Sequence, residues 1–323
     1  MTKDSRISRP IIGLDDAFGV RAKALRCLQQ KLAALFEDSD YEEVIPPLME
    51  RPEALNSGAG RFLADQTLVF SDPADAGLLA IRPDMTPQIA RIAASRLLDS
   101  DELRLHYSGP VMLARPDARG GSRQPWQTGV ECLGVAGSAG DIEVMHLAAQ
   151  SMLAAGFSQP VLQVGHIGVL KALIAGSTTP LDRWTERLAR RSPDDLAELI
   201  SAETLPEKVC EALLELASGQ GDADWIERYR GNINSAFDCA ARELIDLVNE
   251  VGDRLKGEVS IHADAAVMPR FLYHSGILFA GFAGNVPQAL LHGGRYDAMM
   301  AAHGRDMPAT GFSCDLWAWL DAG

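Results

Sequence analysis

Apolar residues recur at helical spacing over residues 15–37. Val20, Leu25, Leu28, Leu32 and Leu35 fall on one stripe with Lys and Gln between them, which predicts a single amphipathic helix. Tyr41-Glu-Glu-Val-Ile-Pro-Pro-Leu48 predicts a strand interrupted by Pro46 and Pro47, a pattern that suits an edge or a bend. Thr67–Phe70 and Leu78–Ile81 predict a hairpin. Thr86–Leu98 predicts a helix, with Pro87 where a first-turn proline is tolerated. Arg104–Leu113 and Trp126–Val135 predict two strands joined by a polar loop, and Asp141–Ala155 a helix with an acidic first turn and Gly156 as its cap.

The pattern then changes. Four helices are predicted, over 167–174, 180–191, 193–217 with a break near Pro206, and 224–251. The last carries Ile233, Phe237, Ala240, Leu244, Leu247 and Val251 on one stripe and ends at Gly252. Ser192-Pro193-Asp194-Asp195 is an N-terminal cap with a first-turn proline and acids. Short strands return at 259–261 and 277–282, and Ala309–Leu320 predicts an apolar strand running into a helix. The expected organisation is an α+β unit over 1–165, a helical insertion over 166–256, and completion of the first unit over 257–323.

Composition narrows the function. Hydrophobic residues make up 47% and charged residues 23% of 323, as in an ordinary globular protein. Net charge is 30 − 44 = −14, a surface that repels phosphate backbones and argues against nucleic-acid binding. Five cysteines (Cys27, Cys132, Cys210, Cys239, Cys314) form no CxxC pair, which predicts reduced thiols in a cytoplasmic protein. No apolar run reaches the ~20 residues of a membrane span, and no signal core follows residues 1–10. His166, His262, His292 and His303 lack metal-ligand spacing, so neither metal nor cofactor is expected. Gly293-Gly294 lies outside any GxxxxGK[ST] or GxGxxG frame and is a weak phosphate signal.

Several polar residues admit a structural role beside a functional one. Asp84 and Thr86 can cap the helix that follows them, Arg295 and Asp297 can pair within their turn, and His274 can be a core histidine. Glu131, in an apolar strand, needs a partner whatever else it does.

The order of motifs adds a resemblance. Leu291-His-Gly-Gly-Arg-Tyr-Asp297 followed by Ala309–Leu320 resembles the third signature motif of class II aminoacyl-tRNA synthetases of the histidyl type. Ile81-Arg-Pro-Asp-Met-Thr-Pro87 looks like their Arg-Pro-Glu-Gly-Thr segment, with Asp one methylene shorter than Glu. Gln127-Thr-Gly-Val-Glu131 looks like their Gln-Ile-Gly-Cys-Glu strand. Arg270-Phe-Leu-Tyr273-His274 looks like their histidine-recognition motif, with the arginine one residue closer to the Tyr-His pair. The resemblance implies a histidine pocket of Asp84, Thr86, Gln127, Glu131, Arg270, Tyr273 and His274, on an antiparallel sheet flanked by helices.

Departures from the motifs matter as much. Gly109-Pro110-Val111-Met112 is followed by Leu113, where the synthetases carry an α-phosphate arginine, and by Arg115 where they carry an acid. The motif-three arginine is replaced by Ala318. Losing one such preorganised contact costs about 10²–10³ in rate, so a dead adenylation site is expected. The chain also stops where a synthetase would continue into an anticodon-binding domain.

These losses fit the ATP phosphoribosyltransferase regulatory-subunit family, itself similar to the synthetase catalytic domain. Five strings in order resemble it: Arg82–Ile92, Gly120–Gln124, Gln163–Gly168, Tyr273–Gly276 and Ala309–Leu316. The resemblance implies a non-catalytic chain that activates a short catalytic subunit in the first step of histidine biosynthesis and helps transmit feedback by free histidine. It also implies a homodimer formed through residues 15–48, within a hetero-oligomer expected to be a hetero-octamer. The alternatives are an ATP-dependent amino-acid-activating ligase, disfavoured by Leu113 and Ala318, and a free-standing amino-acid sensor or nucleic-acid-binding paralogue.

Overall fold

The computed structural model describes residues 11–57, 63–115, 122–268, 274–284 and 286–323. Helix α1 (Gly19–Glu37) buries Leu25, Leu28, Leu32 and Phe36 along one stripe. Burying side chains of this kind contributes about 1.5–3 kcal/mol each. Val20, expected on that stripe, is instead 85% exposed. The expected 41–48 strand shrinks to β1 (Glu42–Glu43), because Pro46 and Pro47 cannot donate to a ladder. β2 (Met49–Glu50) and α2 (Pro52–Asn56) follow. The expected hairpin forms as β3 (Leu68–Ser71) and β4 (Leu78–Ile81), and joins β2 in a separate three-stranded sheet, order β2-β4-β3. Helix α3 (Thr86–Ser95) leads to the paired strands β5 (Leu103–Pro110) and β6 (Trp126–Leu133). Helix α4 (Ser138–Ala155) ends on Gly156 at φ 97°, a left-handed conformation that favours glycine.

Strand β7 (Val161–His166) was not anticipated: its apolar run is too short to separate from a helix start by period alone. Six helices follow: α5 (Ile167–Leu173), α6 (Leu181–Ala189), α7 (Pro193–Ser201), α8 (Glu207–Ala217), α9 (Ala223–Tyr229) and α10 (Ser235–Leu255). The expected single helix over 224–251 is therefore two. Gly231 at φ 72° breaks it, and Asn234 caps the second by accepting from Phe237 N at 2.9 Å. Helix α10 runs past Gly252 and ends at Lys256. The chain closes with β8 (Ser260–Ala263), β9 (Ile277–Phe282), β10 (Leu291–Arg295), α11 (Asp297–Ala302), β11 (Ala309–Asp315) and α12 (Leu316–Ala322).

Among the described residues the main sheet has eight strands in the order β1-β5-β6-β11-β10-β9-β7-β8. Its inner pairings are antiparallel, but β1–β5 and β7–β8, at the two edges, are parallel. The expectation of an antiparallel sheet thus holds for the centre and is corrected at the edges.

Side chains alternate across a sheet, and residues paired in register share a face. One face carries Val130, Cys132, Phe312, Cys314, Leu291, Phe279, Leu162 and Val164, which pack with α1, α4, α5 and α10 in one core. The other carries Leu105, Tyr107 and Leu133 at one end, packed with Met85, Ile89 and Ala93 of the α3 segment and Met299 and Met300 of α11. Much of the rest of that second face is glycine: Gly109, Gly129, Gly311, Gly294 and Gly165. The candidate site residues gather on this bare floor.

Candidate functional site

Strand β6 presents Gln127, Gly129 and Glu131 to the glycine floor. A Cβ on Gly129 would stand 2.7 Å from the Tyr107 hydroxyl, and one on Gly311 would collide with Glu131 Oε2. These two glycines therefore admit the Tyr107 ring and the Glu131 carboxylate to the surface of the sheet. The carboxylate is 2% exposed and takes three hydroxyl donors. Thr86 Oγ1 donates to Oε1 at 2.9 Å, Tyr107 OH to Oε1 at 3.0 Å, and Tyr296 OH to Oε2. Burial pushes the Glu131 carboxyl up to about 8; the hydroxyls of Tyr296, Thr86 and Tyr107 pull it down, and Asp84 adds to the rise. Burial, with Glu131 and Asp84 nearby, holds Tyr107 well above its usual value, so it stays a neutral donor.

A second set of bonds joins Asp84 to Gln127. Asp84 Oδ1 accepts from Thr86 N at 2.9 Å and from Gln127 Nε2 at 2.8 Å, while Gln127 Oε1 accepts from Met85 N at 2.9 Å. Asp84 thus takes the structural role expected of it at the first turn of α3 and also joins the polar network. Gln127 also reaches Ser313 Oγ at 3.2 Å. His274 lies over Gly294, with Nδ1 2.7 Å from where a Cβ would stand. Gly294 pairs with Gly311 and Gly311 with Glu131, so His274 and the carboxylate share one row across the sheet. Burial pulls the imidazole down to about 4, against a hydrogen bond at the Arg295 backbone, and the ring is neutral at pH 7.

Five of the seven expected site residues are therefore on one face: Asp84, Thr86, Gln127 and Glu131 in one hydrogen-bonded network, with His274 in the Glu131 row. Arg270 and Tyr273 lie outside the described residues, as do Gly120 and Gly121. Tyr107 and Tyr296 escaped the sequence reading. An acid and an aromatic two positions off a glycine carry no local signal, and only the register shows that they converge.

Leu113 is half-buried in the irregular continuation of the β5–β6 hairpin, donating from its N to Arg123 O at 2.7 Å. Ala318 is exposed on the first turn of α12. Arg295 does more than pair with Asp297 at 3.2 Å. It also grips Asp141 at 3.0 Å and Gly137 O at 2.7 Å, so it fastens the start of α4 to β10. A concavity of about 600 Å³ lies on the helical side, lined by Tyr41, Glu143, His146, Gln150, Glu250 and Arg254. Its acids are already paired, Glu143 with Arg104 at 2.8 Å and Glu250 with Arg254 at 3.0 Å, and it holds none of the network. The buried network is the better candidate for that reason. Among the described residues no cluster of three or more His, Cys, Asp or Glu could hold a metal ion, and no helix is long and apolar enough to cross a membrane.

The histidyl-tRNA synthetase family model matches residues 13–318. An ATP phosphoribosyltransferase regulatory subunit of Thioalkalivibrio sulfidiphilus is 34% identical over 309 residues, covering 94% of this chain and 78% of the relative. One from Alkalilimnicola ehrlichii is 34% identical over 321 residues, covering 98% and 80%. Among solved structures, an ATP phosphoribosyltransferase regulatory subunit/histidyl-tRNA synthetase from Bacillus halodurans superposes with a TM-score of 0.87 at 26% identity, covering 100% of this chain and 84% of that one.

Proposed function

The chain belongs to the ATP phosphoribosyltransferase regulatory-subunit family, on the histidyl-tRNA synthetase fold, and on that footing we propose that it activates a short catalytic subunit and carries histidine feedback to it. The observation that carries the reading is the contrast between two sites on one fold. The amino-acid network of Asp84, Thr86, Gln127 and Glu131 is intact, whereas the two positions expected to hold ATP phosphates are Leu113 and Ala318.

In this reading the ammonium of free histidine lies between Glu131 and Asp84, whose Oδ1 already takes two donors. Gln127, Thr86 and His274 frame the rest, and the resemblance adds Arg270 and Tyr273 to the same set. Inhibition then follows if the ligand prefers one arrangement of the assembly, and a coupling of about 1–3 kcal/mol suffices. The test is ATP phosphoribosyltransferase activity of the short subunit with and without this chain. A clear rise in rate that histidine reverses is expected. No rise and no co-elution would leave the fold without this function, and ATP–pyrophosphate exchange would then test the ligase alternative.

A pH dependence follows from Glu131. Its carboxyl is held up to about 8, above its usual value, so the neutral form favours the fold: that contribution is complete below the ordinary carboxylate range and fades as pH rises through about 8. A ligand ammonium prefers the carboxylate, so binding expels a proton. Histidine affinity should therefore rise by up to about tenfold per unit between about pH 6.5 and 8. Calorimetry in buffers of different ionisation heat would show the released proton, and a flat affinity would remove Glu131 from the site.

We also propose that the chain is a homodimer within its hetero-oligomer. Phe18, Val20 and Ile45 are 80%, 85% and 81% exposed, and Ile12, Leu48 and Met49 are exposed as well. An apolar surface of this kind in a soluble chain marks an interface. Val20→Asp with Ile45→Asp should shift sedimentation from dimer to monomer with little change in secondary structure. An unchanged dimer would place the interface elsewhere.

A further inference from the structure

The segment that bears the candidate pocket also holds residues 46–50, of which Pro47, Leu48 and Met49 are exposed. Arg82 donates from Nη1 to Pro46 O at 2.8 Å and from Nε to Pro110 O at 3.0 Å. Its guanidinium is buried yet bonds mainly to carbonyl oxygens, with no carboxylate among its hydrogen-bond partners in the described residues. Gln88 donates to Pro47 O at 2.9 Å, and Arg82 N to Leu48 O at 3.2 Å. Arg91, further along α3, forms an ion pair with Glu50 at 2.8 Å. Three side chains of residues 82–91 thus grip Pro46, Pro47 and Glu50, and the same stretch carries Asp84 and Thr86.

The far end of this stretch is loosely tied. Glu50 Oε2, Asn56 Oδ1, Arg91 Nε and His303 Nε2 are all buried and without a hydrogen-bond partner among the described residues. The Glu50–Arg91 pair is close in distance but poorly aligned as a hydrogen bond. His303 ends α11, the helix that begins beside Tyr296, and feels the charges of both Arg91 and Glu50. Arg305 clamps α11 to α3 by donating to Ala93 O at 3.1 Å and Leu97 O at 2.9 Å. Both helices therefore start at hydroxyl donors of Glu131 and meet again at Arg91 and His303. A joint held by one ion pair, in which Arg91 Nε and His303 Nε2 are buried and unmet, has a second arrangement open to it.

We propose that residues 82–91 act as a lever. Occupancy of the Asp84–Thr86–Glu131 pocket moves α3 as a unit, and the Glu50–Arg91–His303 joint passes that movement to residues 46–50, where Leu48 and Met49 are exposed. The inference rests on the reading of the pocket as a histidine site.

The test is amide hydrogen exchange of peptides spanning 46–51 on the full-length protein, with and without free histidine, beside calorimetric affinity on the same samples. In the wild type, histidine should change exchange there by at least about fivefold. Arg91→Met, and independently Glu50→Gln, should abolish that change while histidine affinity stays within about twofold, because neither side chain touches the pocket. Histidine binding to the wild type with no change at 46–51 would overturn the lever alone. So would a change that survives in both variants. A wild type that binds no histidine would remove the pocket reading, and the lever with it.

Discussion

Glu131→Gln will weaken histidine binding by about 2–4 kcal/mol, roughly 30- to 1,000-fold, because it removes one member of a buried charge pair. The substitution is nearly isosteric, and the carboxamide oxygen can still accept from Thr86 or Tyr107. It also removes an acid that burial disfavours, which offsets the hydroxyl bond that is lost. Little change in melting temperature is therefore expected beside the large change in affinity. The pH slope between about 6.5 and 8 should vanish with it. Glu131→Ala and Asp84→Ala provide the harsher test: unchanged histidine affinity in both would sink the pocket assignment.

Gly311→Ala should cost about 3 kcal/mol of stability, a fall in melting temperature of roughly 6–12 °C. A Cβ at this position collides with Glu131 Oε2 and with Val130 O. The first could yield only by expelling the carboxylate from its three donors. The second belongs to the neighbouring strand of the sheet centre and cannot move without loosening the β6–β11 ladder. Gly176→Ala is the control, since nothing lies within 4 Å of a Cβ there and its φ is unrestrictive. It should stay within about ±0.5 kcal/mol. A Gly311→Ala protein with wild-type melting would mean that the glycine floor is not closely packed.

Sequence periodicity located most helices because their stripes are long: Leu25, Leu28 and Leu32 in α1, or Phe237, Leu244, Leu247 and Val251 in α10. It failed where short elements depend on distant partners. Strand β7 exists because β9 and β8 flank it, and β10 because β9 and β11 do. Val20 shares the apolar period of α1 yet is exposed, because period alone does not say which part of a stripe the sheet covers. The network of Asp84, Thr86, Gln127 and Glu131 was legible only through motif order. Its geometry needs the register that sets Glu131 opposite Gly311, and the arrival of Tyr107 from β5 and Tyr296 from the start of α11, which sequence spacing does not connect.

The main sheet ends at β1, which is two residues long, both glutamates and both exposed. An edge so short and so negatively charged gives a foreign strand nothing to zip onto. Growth of the sheet from molecule to molecule is closed off on that side. Any subunit that joins there must be recognised by the shape and chemistry of side chains rather than by the backbone ladder that every protein shares, and such recognition can be gained or lost through single substitutions.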